Sequence, residues 1–454
     1  MSLNFNRLKN KFSRRSQETS DSVRLFHYEH RNFLEKSRIH LRLDPDGHGT
    51  LIVNANQVMH LNPTAALMAY LTLEKKNEKE IIKIVRKKYA VSEKQVLEDL
   101  ETFNLQLDNL IRPDGACAIH DLELDVNMPF SARPTAPYRM DLAITYRCNN
   151  NCAHCYNARE RTFPSLSVDE WKRVLDITWD LGIPHIVFTG GEPTLMDFLP
   201  ELIAHAETNG QITGLNTNAR RLADEKYLAE LVSAGLDHVQ ITVESSDSEI
   251  HDAMVGAKAH RQTIEGLKNA LASPLYVMTN TTMLRDNVHT IPATLDFLAN
   301  LGVPTVGLNA LIYAGRGKNV GTGLDESELT PLLETAQLKT QMRGQKLIWY
   351  TPTQYCNFDP TALNLGIKGC TAALYNMCVE PDGAVLPCQS YYTPVGNLLR
   401  DSWDSIWNHN LSVKLRERQG LPSKCTGCDL LAECGGGCPL QFEEEEDLLV
   451  NTNI

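Results

Sequence analysis

Cys148-Asn-Asn-Asn-Cys152-Ala-His-Cys155 packs three thiols into one short stretch, and no other feature restricts this chain's fold and chemistry as strongly. Soft thiolates at this density suit an iron-sulfur cluster or zinc, and three ligands leave one metal position without a protein donor. That position invites a co-substrate. Closed zinc sites normally bring four ligands in two pairs, which favours the cluster, although zinc with His154 as a further donor stays open. The preceding run Met140-Asp-Leu-Ala-Ile-Thr-Tyr146 alternates apolar residues as a strand does, so the cysteines fall in the loop at its C-terminal end. Active sites of β/α barrels sit on that face.

At 454 residues the chain exceeds one ordinary domain, and two or three are expected. With 42% hydrophobic and 22% charged residues it reads as an ordinary soluble globular protein. A net charge of -12 argues against general nucleic-acid binding. Arg7, Lys9, Lys11, Arg14 and Arg15 make the extreme N-terminus locally basic, as in a mobile arm. There is no long apolar run and no signal-peptide core, so the expectation is a cytosolic chain without membrane contact. In a reducing compartment, twelve cysteines read as metal ligands rather than disulfides.

Residues 1–36 are polar and charged without a sustained apolar stripe, and little structure is expected there. Next come three strand-like runs, Arg38-Ile-His-Leu-Arg-Leu43, Thr50-Leu-Ile-Val53 and Gln57-Val-Met-His-Leu61, separated by turn residues such as Asp46-Gly47 and Asn54. Three helices follow. The last opens on a Ser92-x-x-Gln95 capping box and repeats Val96, Leu100, Phe103, Leu107 and Leu110 on one face. With Leu61-Asn-Pro-Thr64 opening the first helix and Glu78-Lys-Glu-Ile-Ile82 the second, residues 37–112 resemble the PqqD-like winged-helix chaperone of pyrroloquinoline quinone biosynthesis. The same fold is the recognition element of enzymes that modify ribosomally made peptides (RiPPs). The resemblance implies that a leader peptide adds a strand along Gln57–Leu61 and packs on the helix of residues 92–111. A generic winged-helix module for dimer or DNA contacts is the plainer reading. Residues 113–136, with Pro113-Asp114-Gly115 and Asn127-Met128-Pro129, read as a linker.

After the triad, strand and helix patterns alternate. Ser167-x-x-Glu170 caps a helix and His185-Ile-Val-Phe-Thr189 is a buried strand. Residues 212–216, 238–243, 275–281 and 305–311 are further strands, which with the one before Cys148 makes six. Gly190-Gly191-Glu192-Pro193 ends the second. Its small residues let backbone approach a ligand, and its carboxylate can meet an ammonium group. Alone it is a common turn; one βα unit after the cysteine loop, it falls on the same rim.

The C-x3-C-x2-C spacing followed by this motif resembles the radical S-adenosylmethionine (SAM) enzymes, with His154 where the family usually has an aromatic residue. The resemblance implies an α/β fold with a partial (β/α)6 radical SAM barrel over residues 137–345. In it, Cys148, Cys152 and Cys155 hold a 4Fe-4S cluster whose unique iron is chelated by SAM, and Gly190, Gly191, Glu192 and Pro193 hold the SAM amino group. Thr217 and Asn218, followed by Ala219 in place of the family's glycine, correspond to positions that face SAM. So do Thr242 and Glu244 near the ribose, Asn280, and Arg316 within Gly315-Arg316-Gly317.

Composition shifts again near residue 350. Cys356, Cys370, Cys378 and Cys388 precede a Cys425-x2-Cys428-x5-Cys434-x3-Cys438 run. Spacing alone leaves a zinc ribbon open for that run. Cys370-x12-Gly383-x4-Cys388, with Glu380-Pro-Asp-Gly383 as a turn between two strands, then the run, resembles the SPASM extension of radical SAM enzymes over residues 346–442. Two auxiliary 4Fe-4S clusters are implied, one on Cys370, Cys388 and Cys438, the other on Cys425, Cys428 and Cys434. The family's final downstream cysteine has no counterpart here. Two complete clusters need eight thiols and the region has eight. Cys356 is expected to complete one, and Cys378 is either a ligand or a small buried strand residue. Residues 443–454 read as a solvated acidic tail.

Together these resemblances imply a cytoplasmic radical SAM/SPASM oxidoreductase. It would cleave SAM reductively to a 5'-deoxyadenosyl radical and modify a leader-bearing precursor peptide, by hydrogen abstraction followed by oxidative cross-linking or thioether formation. Ferredoxin or flavodoxin would supply electrons. The alternatives are a SPASM enzyme acting on a small molecule or protein residue, as in the heme pathway or sulfatase maturation, and a noncatalytic iron-sulfur peptide-binding scaffold.

Overall fold

The computed structural model describes residues 23–31, 36–54, 57–111, 134–157, 160 and 162–441; the basic arm, most of the linker with Cys117, and the acidic tail lie outside them. The chain divides into two units. One is Met1–Thr135 with Asp176–Pro184 and Asn209–Ile212, and the other is the remainder.

In the first unit, β1 (Arg24–Arg31), β2 (Lys36–Leu43), β3 (Gly49–Val53) and β4 (Gln57–Leu61) form an antiparallel sheet in that order. β1 corrects the expectation of an unstructured arm up to residue 36. Its core-facing residues are Phe26 and Tyr28, two apart as a strand requires, and the Tyr28 hydroxyl donates to Glu74 at 2.8 Å. Intervening histidines and charges hide that alternation. The three expected helices follow as α1 (Pro63–Leu73), α2 (Glu78–Lys88) and α3 (Glu93–Ile111). Asn62 caps α1, Asn77 and Glu80 cap α2 reciprocally, and Ser92 Oγ accepts the Gln95 N–H at the start of α3. The Gln95 side chain turns to Asp99 instead of closing its box.

Ile39, Leu41, Leu51 and Val53 of the sheet meet Ala66, Ala69, Phe103 and Leu107 in one core. The polar face of β2 is buried as well. Within this unit Arg38 donates to Gln211 O at 3.0 Å, His40 Nε2 to Gly210 O at 2.8 Å, and Arg42 to Gly182 O at 3.4 Å. Burial holds the His40 imidazole well below its ordinary value, so it bonds as a neutral donor. β4 is an edge of the sheet, and Val58 on it is 42% exposed.

In the second unit all six expected parallel strands are present in chain order. They are β5 (Arg139–Thr145), β6 (His185–Gly190), β7 (Ile212–Thr217), β8 (His238–Thr242), β9 (Tyr276–Thr282) and β10 (Thr305–Asn309). Between and after them run α4 (Val168–Asp180), α5 (Leu199–Asn209), α6 (Glu225–Ala234), α7 (Ser248–Val255), α8 (His260–Leu271), α9 (Ile291–Asn300) and α10 (Glu326–Met342).

The sheet extends further than the sequence implied. β11 (Lys346–Trp349) adds parallel to β10, and β12 (Asn376–Val379) adds parallel to β5, followed by β13 (Ala384–Leu386) and β14 (Gly396–Asn397). The expected boundary at residue 345 is therefore corrected: Lys346–Trp349 belongs to the parallel sheet, and the cysteine-rich region is hydrogen-bonded into its other edge. Among the described residues no helix is long and apolar enough to cross a membrane.

Leu107 is 1% exposed in the core of the first unit. Leu107→Ala is expected to destabilise that unit by about 3 kcal/mol. The check is faster amide hydrogen exchange in β2 and β3 with β5 to β10 unchanged.

Candidate active site and thiol groups

The C-terminal ends of β5 and β6 are tied backbone to backbone. Gly191 N–H donates to Thr145 O and Glu192 N–H to Arg147 O, both at 2.7 Å. A Cβ on Gly190, where φ is 128°, would overlap Thr145 O, and one on Gly191 would overlap Arg147 O and Tyr146 O. The two glycines thus permit a close approach of backbone to backbone.

The cysteine loop is held by neighbouring backbone and by a buried side-chain pair. Asn151 N–H donates to Val255 O at 2.8 Å, Ala153 N–H to Met254 O at 3.1 Å, and Arg316 N–H to Cys155 O at 2.9 Å. The buried pair is His154 Nε2 with Glu244 Oε1 at 2.9 Å. Burial pushes the imidazole down, but Glu244 pushes it up further, so His154 sits above its ordinary value. The other Glu244 oxygen accepts the Thr282 N–H at 2.8 Å, and the residue is wholly buried. Both oxygens are occupied, so Glu244 clamps the loop, and neither it nor Asn280 is on the cavity wall.

The cavity has a volume of about 330 Å³. Its wall carries Cys148, Cys152 and Cys155 from the loop, Gly190, Gly191 and Glu192 at the end of β6, Thr217 and Asn218 at the end of β7, Thr242 from β8, and Arg316. Pro193 is buried behind them in the turn that Glu192 caps. Sequence reasoning missed Tyr146, Asn150, Tyr156, Asn157, Thr189, Asn216 and Val255, which also line it. All but Val255 adjoin or fall within a motif already noted, which was the available signal.

Glu192 is the buried anion of the site. Its Oε1 accepts the Thr194 N–H at 3.1 Å, the Thr194 hydroxyl at 2.6 Å and the Thr217 hydroxyl at 2.7 Å, while Oε2 accepts the Asn218 N–H at 2.8 Å. Oε2 keeps capacity for a cationic donor. Burial pushes the carboxyl up and these donors pull it partly back. The Cys152 thiol is raised by burial, then by Cys155, Glu244 and Cys148. Three thiolates so placed repel one another unless a cationic group joins them, so the donor set fits a 4Fe-4S cluster, with Glu192 fitting an ammonium beside it.

In the cysteine-rich region Gly383 N–H closes the expected turn on Glu380 O at 2.9 Å, and Ala373 N–H donates to Pro387 O at 2.9 Å. Burial and the Cys370 thiol push Cys388 up to about 12, and Cys438 is raised by burial, Cys370 and Cys388. These three thiols feel one another's charge. Cys425 is raised by burial, then by Cys434, Cys356 and Cys428. Cys378, by contrast, sits on β12 opposite Leu386, 1% exposed, packed with Ala143 and Tyr146, its thiol toward Val379 O at 3.7 Å. Its surroundings are those of a small buried strand residue. Tyr156 links the two regions, its hydroxyl donating to Gln389 Oε1 at 3.1 Å.

The Radical SAM superfamily profile matches residues 142–298, and that of the SPASM iron-sulfur cluster-binding domain matches residues 370–429. The chain is 30% identical to the PqqA peptide cyclase of Bradyrhizobium diazoefficiens, over 67% of this chain and 82% of that protein. It is 29% identical to the Fe-coproporphyrin III synthase of Methanosarcina barkeri, over 66% and 82%. Streptococcus suis SuiB bound to S-adenosylmethionine is similar in structure, with a TM-score of 0.67 at 19% identity, over 90% of this chain and 96% of that one.

Glu192→Gln would set an amide NH2 among donors from Thr194, Thr217 and Asn218. SAM binding is expected to weaken about tenfold or more, roughly 1.4 kcal/mol, measured by anaerobic titration calorimetry with the far-UV spectrum unchanged.

Proposed function

The chain belongs to the radical SAM superfamily and carries its SPASM iron-sulfur domain, and from that premise we propose that it matures a ribosomally made precursor peptide. The observation that carries this reading is the cavity on whose wall the three thiols of Cys148, Cys152 and Cys155 meet Gly190, Gly191 and Glu192. When bound, the cluster and SAM supply a 5'-deoxyadenosyl radical able to take hydrogen from an unactivated carbon. The chain's own residues position that chemistry. Cys148, Cys152 and Cys155 would hold the cluster, and Glu192 Oε2 would orient the SAM ammonium. The Gly191 and Glu192 amide bonds to Thr145 and Arg147 keep those two elements in register. Tyr146, Tyr156 and Val255 contribute apolar wall that excludes water. Cys370, Cys388 and Cys438, and the group around Cys425, would hold auxiliary clusters that take up the electron left on the substrate.

A peptide substrate is supported by the similarity to PqqA peptide cyclases and by the first unit. β4 is an edge strand of its sheet, and Val58, Leu97 and Leu105 are exposed on β4 and α3. An extended leader pairing along β4 would extend the sheet and cover apolar surface, as a PqqD-like element does. A small electron carrier such as ferredoxin or flavodoxin and a cytoplasmic setting complete the proposal. A second reading, action on a small molecule, is favoured by the similarity to Fe-coproporphyrin III synthase.

Reconstituted, dithionite-reduced protein incubated anaerobically with SAM is expected to form 5'-deoxyadenosine, detected by mass spectrometry, whereas Cys148→Ala/Cys152→Ala/Cys155→Ala forms none. Absence of product from cluster-loaded wild type would sink the proposal. Val58→Asp is expected to weaken leader-peptide binding about tenfold, roughly 1.4 kcal/mol, by fluorescence anisotropy. Peptide-free SAM cleavage stays as in wild type. No leader binding by wild type turns the choice to the small-molecule reading.

A further inference from the structure

Cys356 lies far upstream of the Cys425-x2-Cys428-x5-Cys434-x3-Cys438 run, yet its loop is stitched to that run. Tyr355 N–H points at Cys434 Sγ at 3.4 Å, and Cys434 Sγ lies 3.6 Å from Thr353 O. Lys424 Nζ donates to Gln354 Oε1 at 2.5 Å. On the other side, Glu326 of α10 accepts the Gln354 N–H at 3.2 Å and the Asn357 amide at 3.0 Å, so the loop is held from both directions. Cys356 follows directly on Tyr355, and its thiol is not packed into a core: the residue is exposed, as is Cys428. Cys378 is the opposite case, 1% exposed and surrounded by apolar side chains.

A cluster needs its thiolates around one small volume, and hydrogen bonds to ligand sulfurs are part of how a protein tunes it. The Tyr355 amide makes such a bond to Cys434 in the same loop turn that presents Cys356.

We propose that Cys356 supplies the fourth thiolate of the auxiliary cluster held by Cys425, Cys428 and Cys434, from upstream, and that Cys378 is not a ligand. The inference rests on the reading that this region holds two auxiliary clusters. It couples that cluster to the segment directly after β11.

The test is iron and sulfide quantitation with Mössbauer spectroscopy on the full chain, reconstituted anaerobically. Wild type is expected to hold about twelve irons, four per cluster. Cys356→Ala is expected to lose about four while keeping the SAM-induced change in the reduced electron paramagnetic resonance signal, which reports an intact barrel site. Cys378→Ala is expected to keep all of them. A full iron complement with unaltered spectra in Cys356→Ala overturns the proposal, as does loss of four irons from Cys378→Ala. If Cys356→Ala does not fold, Cys356→Asp decides: a retained cluster with altered spectra supports ligation, and wild-type spectra overturn it. About eight irons in wild type would instead remove the two-cluster reading itself, a result visible before any substitution is made.

Discussion

The contact on which the site depends is between backbones. At the ends of β5 and β6 the amides of Gly191 and Glu192 reach the carbonyls of Thr145 and Arg147 at 2.7 Å, closer than any Cβ would permit. The cysteine loop leaves β5 and the Glu192 turn leaves β6, so this approach sets the distance between the thiols and the carboxylate. An added methyl would force the two loops apart, since backbone carbonyls cannot rotate away as a side chain can. Two short motifs separated by a helix become one wall because of it.

Around that seam the structure buries charge with partners. Glu192 is surrounded by hydrogen-bond donors and retains one oxygen with spare capacity. His154 and Glu244 pair beneath the cysteine loop, and such a buried pair contributes less to net stability than to holding one arrangement against others. The thiol groups follow the same logic with the opposite sign. Crowded thiols raise one another's proton affinity, a conflict that a bound cationic cluster relieves.

Much of this was legible because it is local. The six parallel strands announced themselves through short apolar runs, and the α3 stripe from Val96 to Leu107 through its helical period. β1 was not legible, because histidines, arginine and glutamate interleave Phe26 and Tyr28 and bury a polar face that periodicity counts as exposed. β11 escaped because four residues are too few to carry a pattern. The pairing of Glu244 with His154 was not legible, because position along the chain does not say whether a carboxylate turns to a cavity or to a histidine of a neighbouring loop.

By itself the sequence determined the class of chemistry, since three soft ligands in one loop and a Gly-Gly-Glu-Pro turn one βα unit later are covalent facts that no packing alters. It also determined how many thiols were available. Which thiols share a site was decided only by tertiary structure. The loop that carries Cys356 bonds to Cys434, while Cys378 is drawn into the core between β5 and β13. Those outcomes depend on how β11 and β12 add to opposite edges of one sheet, and pairing between strands distant in sequence is set by the packing of whole surfaces, which residue spacing does not encode.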